Sequence, residues 1–222
     1  MIRYEFLKEG IYHVIHLKFS HNRKLGLGEI VVQTYHFSEA QVITGDFKQD
    51  KANCLDCLYS FNSGNGKCYT HVGLMNLGLR SMLKRLHKNP PKQFCPENWA
   101  KFLEKANKIK IDLIRFGAYG EPVLLGESLT QDLLSLNYLK FTGYTQRWKS
   151  ELWGKNYFKA SVHSQKELSE AIFLGWSCYA VSKNPQKIGV ICPSDLANVT
   201  CSTCGLCNAN FKPNINAKLK HQ

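Results

Sequence analysis

At 222 residues with 44% hydrophobic side chains, the chain has enough apolar material to bury a core, which excludes global disorder. No apolar run approaches the roughly 20 residues that span a bilayer, and Met1-Ile-Arg-Tyr-Glu-Phe-Leu-Lys-Glu lacks a signal-peptide core, so a cytoplasmic, non-membrane protein is expected. The 29 Lys and Arg against 17 Asp and Glu give a net charge of +12, which points toward a nucleic-acid or nucleotide partner without selecting it over a merely basic surface.

In chain order, two β-like stretches come first, Tyr12 to Leu17 and Gly28 to Tyr35, separated by the basic turn His21-Asn-Arg-Lys. Val42-Ile-Thr-Gly-Asp reads as a strand ending in turn residues. Leu74, Leu77, Met82, Leu83 and Leu86 follow a period near 3.6 and predict a helix over Val72 to His87, stopped by Asn89-Pro-Pro. Glu97 to Lys108 is a second helix, with Trp99, Phe102, Leu103 and Ala106 on one face and Pro96 in its first turn.

Strand and helix then alternate. Strands are expected from Ile111, Tyr138, Tyr157, Trp176 and Lys187, and helices over Ser128 to Leu136 and Ser164 to Leu174. Ser164 and Glu167 form a capping box for the last helix, and Gly175 stops it. This alternation predicts an α/β fold: a partial (βα) barrel with mostly parallel strands and cysteine-rich metal-binding loops. The organisation expected is an N-terminal β extension over 1–40, the partial barrel over 41–210 and a flexible basic tail over 211–222.

Seven of the nine cysteines fall into two sets. Cys54-Leu-Asp-Cys57 and Cys68 form the first; Cys192, Cys201, Cys204 and Cys207 form the second. Thiolates spaced two residues apart grip one metal from a single turn, so both sets are candidate ligands for a [4Fe–4S] cluster or Zn²⁺. The C-x-x-C-x-x-C run favours iron–sulfur over a zinc ribbon, whose pairs are well separated. Cys54, Cys57 and Cys68 leave one coordination position open, which His71 could close; one centre shared by both sets is the remaining arrangement. Cys95 and Cys178 read as packing residues.

Sites in such folds lie at the C-terminal ends of strands. There the chain places Asp46, Arg115, Glu121, Tyr144, Arg147, His163 and Asp195. Arg115 and Arg147 suit a phosphate or carboxylate, Glu121 or His163 a proton transfer, and Tyr119, Tyr144 and Trp148 stacking on a base. Arg115, Glu121, Tyr144 and His163 are the candidate catalytic residues; ordinary polar caps on strand ends are the competing reading. No P-loop, dinucleotide fingerprint, nucleophile elbow or H-E-x-x-H is present.

The ordered motifs Cys54-x-x-Cys57, Gly-Lys-Cys68-Tyr69, Arg115 to Pro122, Thr142 to Trp148, Ala160 to Ser164, Cys192-Pro and Cys201-x-x-Cys204-Gly-Leu-Cys207 resemble a bacteriophage and mobile-element family with two cysteine clusters. The layout is similar to radical-SAM-like phage proteins. That resemblance implies a [4Fe–4S] cluster, S-adenosylmethionine as a possible co-substrate, and residence in a host cytoplasm. Cys68 lies far from Cys57, whereas the radical-SAM loop holds its three cysteines close together. The expected function is a metalloprotein acting on or binding a nucleotide or nucleic acid. The alternative is a zinc-stabilised nucleic-acid-binding or host-interaction protein without catalysis.

Overall fold

The structure, a computed structural model, describes residues 1–54, 57, 59–61, 68, 73–182, 189–193, 199–208 and 214–218. Three strands open the chain: β1 Ile2–Lys8, β2 Ile11–Phe19 and β3 Ile30–Ser38. Short helices α1 Glu39–Thr44 and α2 Lys51–Cys54 precede the longer α3 Gly73–Lys88 and α4 Pro96–Asn107. Then come β4 Ile111–Tyr119, α5 Glu127–Leu134, β5 Tyr138–Thr142, β6 Tyr144–Thr145, β7 Lys159–Val162, α6 Gln165–Phe173 and β8 Cys178–Ser182. β9 Val190–Ile191, α7 Cys201–Cys204 and β10 Ile215–Lys218 complete the described elements.

The strands form two sheets, ordered β1-β2-β3-β4-β5 and β6-β7-β8-β10-β9. β1 and β3 run antiparallel to β2; β3, β4 and β5 are mutually parallel, as is the whole second sheet. The fold is therefore mixed α/β, and the described strands close no barrel.

β5 and β6 are separated only by Gly143, whose carbonyl accepts from Lys159 N at 3.1 Å. One line of chain thus pairs with β4 before the glycine and with β7 after it. A Cβ at Gly143 would stand 2.6 Å from Phe158 Cδ1 and 3.1 Å from Phe116 Cβ, so the two buried rings fix glycine at the changeover.

Side chains alternate between sheet faces. One face carries Ile15, Val32, Ile114, Phe116, Phe141, Ala160 and Val162, and packs in a single core with Trp99 and Phe102 of α4, Leu129 and Leu133 of α5, and Leu168 and Ala171 of α6. The opposite face is mixed. Tyr12, Val14, Tyr35 and Phe37 on it pack against Val42 of α1 and Leu79, Met82, Leu83 and Leu86 of α3. Farther along, the registers Leu113↔Lys140, Arg115↔Thr142 and Tyr144↔Lys159 put Arg115, Lys140, Thr142, Tyr144 and Lys159 on this second face.

One sequence expectation is corrected and two segments are placed. Residues 42–46 form no strand: Ser38 caps α1, its hydroxyl accepting from Gln41 N while the Gln41 side chain returns to Ser38 N, and Gly45 ends the helix in the left-handed region. Residues 1–40, expected as a β extension, supply β1 to β3, and β3 hydrogen-bonds directly to β4. The 211–222 segment is not wholly a free tail: β10 lies between β8 and β9 with Ile215 fully buried. Its alternation spans too few residues to register in the sequence.

Two histidines face each other across β2 and β3 in the apolar layer. His13 Nδ1 and His36 Nδ1 are 2.9 Å apart, His36 Nε2 lies 3.0 Å from Thr34 Oγ1, and Phe6 stacks on His13. Burial holds His36 down to about 3 and His13 well below the usual imidazole range. Because the folded-state value is depressed, each contributes stability that is full above the unfolded value of about 6.5 and is lost as pH falls below it. His36→Gln is expected to destabilise the protein at pH 7.5, with the gap to wild type in urea melts narrowing steadily toward pH 4.5. A gap independent of pH would show that His36 is not buried in its neutral form.

Candidate metal centre

The second cysteine set is assembled by a capped loop. Thr200 and Thr203 form a reciprocal capping box around α7, with Thr203 N donating to Thr200 Oγ1 at 3.3 Å and Thr200 N to Thr203 Oγ1 at 3.2 Å. Gly205 closes the helix at φ 68°, its N–H returning to Cys201 O. Two further contacts tie the loop down. Cys201 N donates to Lys24 O at 2.8 Å, and Lys140 Nζ donates to Thr203 O. Cys201 thereby packs beside Leu25, Val31 and Leu113 on the mixed face.

Cys192, at the end of β9, meets Cys201, Cys204 and Cys207 around one cavity of about 20 Å³, walled otherwise by Phe141, Thr142 and Ile215. That volume takes about one water-sized particle. Thr142 Oγ1 is buried there without a hydrogen-bond partner among the described residues. An unpaired buried hydroxyl is costly unless something in the cavity accepts from it, as a thiolate sulfur would.

The surrounding charge is positive. Arg115 and Lys24 favour ionisation of Cys201 against the burial that raises it. Burial pushes Cys207 up to about 11, opposed by the Tyr144 hydroxyl and by Lys159. Lys159 is completely buried, its Nζ 3.2 Å from Ser177 Oγ; burial lowers its pKa, and Cys207 and Cys178 oppose that by favouring the ammonium. A buried lysine stays charged only where negative charge lies nearby. Metal-bound thiolates would supply it, since four of them exceed the charge of a divalent ion or a [4Fe–4S] core. The donor types, the orphan hydroxyl and the cations suit thiolate-bound metal, and the cavity volume suits a single ion.

In the first set Cys54 ends α2 and Cys57 follows it. Cys54 N and Asn53 N donate to Asp50 O, and Cys57 N donates to Cys54 O at 2.9 Å. Asn53 Nδ2 donates to His36 O, Glu121 N to Asn53 O, and Arg147 Nη2 to Ala52 O at 2.6 Å, fastening α2 to the ends of β3, β4 and β6. Burial raises Cys57 to about 12 and Cys54 well above the thiol range, with Asp50 and Glu121 adding to it. These thiols have carboxylates near them where the second set has cations. His71 lies outside the described residues.

Of the strand-end residues, Glu121, Arg147 and His163 come together. Buried Glu121 accepts from Thr145 Oγ1 at 2.7 Å and Gln146 N at 3.0 Å, and burial lifts it to about 7, near the value a proton-transfer group needs. Gln146 spans Ser161 Oγ and His163 Nε2, and Tyr59 packs edge-on to His163 with ring centroids 5.2 Å apart. Tyr144 and Arg115 belong instead with the second cysteine set. Asp46 is exposed on the α1–α3 side, and Asp195 lies outside the described residues.

Base stacking by Tyr119, Tyr144 and Trp148 does not fit. Tyr119 and Trp148 are each 2% exposed, and Tyr144 lies against Tyr179 at 4.1 Å between centroids. Cys178 is buried as expected, whereas Cys95 is only partly covered, bonds Glu97 and precedes α4. Among the described residues, no three His, Cys, Asp or Glu side chains stand in coordinating geometry, within either set or across both. Sequence reading missed Thr142, Lys24, Lys140 and Lys159. The lysine between Phe158 and Ala160, in a strand expected to be covered on both faces, was the available signal.

Gly205 tests how closely the loop is held. A Cβ there would stand 2.9 Å from Lys140 Cδ and would sit at positive φ. Gly205→Ala is expected to cost about 1–2 kcal/mol in urea unfolding. The cost should shrink when Lys140→Ala is also present, because only the backbone penalty remains. Equal costs in both backgrounds would mean that Lys140 does not pack on the loop.

Comparison with protein-family models, with curated proteins and with solved structures gives no match to this chain.

Proposed function

We propose that this chain is a metalloprotein in which Cys192, Cys201, Cys204 and Cys207 hold one thiolate-ligated centre, with a nucleotide or nucleic acid as its partner. The observation that carries the reading is the convergence of four thiols and an orphan hydroxyl on one cavity, with Arg115, Lys24 and Lys159 acting on its cysteines. The fold supports setting this centre within a partial (βα) barrel. From β3 to β9 the parallel strands follow one another through the Gly143 changeover, with α4, α5 and α6 packed on the apolar side.

A [4Fe–4S] cluster is the first reading of the metal. A C-x-x-C-x-x-C run with a separate Cys-Pro uses the same ligand types as bacterial iron–sulfur loops. When bound, it supplies one-electron chemistry. Cys54, Cys57 and Cys68 then form a second, three-thiolate set beside Glu121 and Arg147, whose open coordination position would take a substrate ligand such as S-adenosylmethionine. In that role Glu121 holds the exchangeable proton, His163 lies two hydrogen bonds away through Gln146, and Arg147 orients an anionic group. The phage or mobile-element relationship belongs to this reading. Zinc is the second reading, favoured by the size of the cavity, which matches a single ion. Its chemistry would be structural, leaving the basic surface to bind nucleic acid.

Metal analysis of protein purified without oxygen tests both. Iron with sulfide and a broad band near ~400 nm is expected. Cys204→Ala should lose the metal of the second set, whereas Cys57→Ala should not. Lys159→Met should retain the fold but release metal to a chelator about tenfold more readily, equivalent to about 1.4 kcal/mol. Stoichiometric zinc without colour would replace iron–sulfur with the zinc reading. Protein that folds and binds neither metal would overturn the metal centre altogether.

A further inference from the structure

Between Cys57 and Pro96 the chain contains no Asp or Glu, while Lys67, Arg80, Lys84, Arg85, Lys88 and Lys92 fall in the same stretch. Helix α3 turns part of this asymmetry outward. Leu79, Met82, Leu83 and Leu86 are buried against the mixed sheet face, so Arg80, Lys84 and Lys88 form an exposed row on the other side. Residues four apart on a helix rise by about 6 Å, so the row offers one cation per turn. Only Arg85 of the helix pairs with an acid, Glu5, on the far side; neither Arg80 nor Lys84 has an acidic partner among the described residues. Arg80 Nε donates to Asn76 Oδ1 at 2.8 Å, which sets the guanidinium's direction.

Beside this row lies a cleft of about 160 Å³, the larger of the two described cavities. Its walls are Lys48, Arg80 and Lys84, with Phe61 and Phe47 between them. Asp46 is the one carboxylate in the wall, and its Oδ1 accepts from Lys48 N at 2.9 Å. Three cations against one anion, two of them (Arg80 and Lys84) from the acid-free stretch between Cys57 and Pro96, leave a positive cleft continuous with a positive helix edge. The residues of either cysteine set are absent from it.

We infer that the cleft at Lys48, Arg80 and Lys84, together with the α3 edge through Lys88, is a docking surface for the phosphodiester backbone of a nucleic acid. A cation every ~6 Å can neutralise successive phosphates of a strand laid along the helix, and the cleft admits one phosphate group with its sugar. Among the described residues the surface presents cations at phosphate spacing, so the binding inferred is of backbone rather than sequence. The inference rests on the nucleic-acid half of the function proposed above and is independent of the metal.

The test uses the full chain and a fluorescein-labelled single-stranded oligonucleotide, followed by fluorescence anisotropy across a salt series. Arg80→Gln with Lys84→Gln is expected to weaken binding at least tenfold near physiological salt. It should also reduce the log–log salt slope by about 1.4, twice the ~0.7 per phosphate contact of a single strand. Lys101→Gln with Lys105→Gln, which removes the same charge from the exposed side of α4, should weaken binding less than about twofold. All four positions are exposed, and thermal melts of each variant check that the fold is kept. Equal losses from both pairs would overturn the surface while leaving a basic protein that binds nucleic acid. No oligonucleotide binding by the wild-type chain would overturn the surface and the nucleic-acid half of the proposed function together. Binding of inorganic phosphate without oligonucleotide binding would make the cleft a small-anion site and overturn the inference as well.

Discussion

A line of chain that hydrogen-bonds to β4 with its first half and to β7 with its second must change partners within one residue. At that residue two buried phenylalanine rings leave no volume for a Cβ. Gly143 lets the backbone pass between Phe116 and Phe158 without breaking the alternation of side chains on either side. Thr142 and Tyr144 therefore emerge on the same face, although they pair in different sheets. The cavity wall at Thr142 and the hydroxyl that meets Cys207 come from that shared alternation.

The same alternation separates two kinds of interior. The face toward α4, α5 and α6 is mainly apolar and carries the histidine pair with Thr34, and Thr145 near its end. The face toward α7 is charged. Lys18 donates to Tyr35, Arg115 stands near both Lys18 and Cys201, and Lys159 is fully enclosed. An interior of like charges is unfavourable on its own. Ionised sulfur in the cysteine cavity would make it favourable, and desolvation would then strengthen the attraction rather than oppose it. The first cysteine set has the reverse surroundings, with Asp50 and Glu121 nearby. Two thiol sets of similar spacing thus sit in fields of opposite sign.

Elements with a strong period were legible in the sequence. α3 and α4 lie within a residue or so of their expected ends, because each buries one apolar stripe and is bounded by proline. The cysteine sets were legible for a different reason: ligand spacing is local and survives any arrangement of the sheets. α1 was misread because a helix of under two turns depends on its caps, here Ser38 and Gly45, more than on periodicity. β1 and β10 were missed, as were the cations around the second cysteine set. Whether Lys159 faces solvent or sulfur depends on which strands flank it, and those neighbours are far away in the chain. For the same reason Arg115 and Arg147, alike in sequence setting, serve different sets.

The order of the second sheet also bears on the sequence of events in biosynthesis. β9 does not touch β8 directly; β10 joins them, parallel to both. Residues 190–191 have no strand to pair with until residues 215–218 have left the ribosome. Cys192, held at the end of β9, and Cys201, Cys204 and Cys207, lying between the two strands, are consequently placed late. Long-range parallel pairing of this sort forms slowly. A nascent chain would carry four reduced, mutually close thiols through that interval, open to oxidation or to the wrong metal. For the proposed centre, the timing of metal delivery, as much as ligand affinity, would then bear on which ion the four cysteines take up.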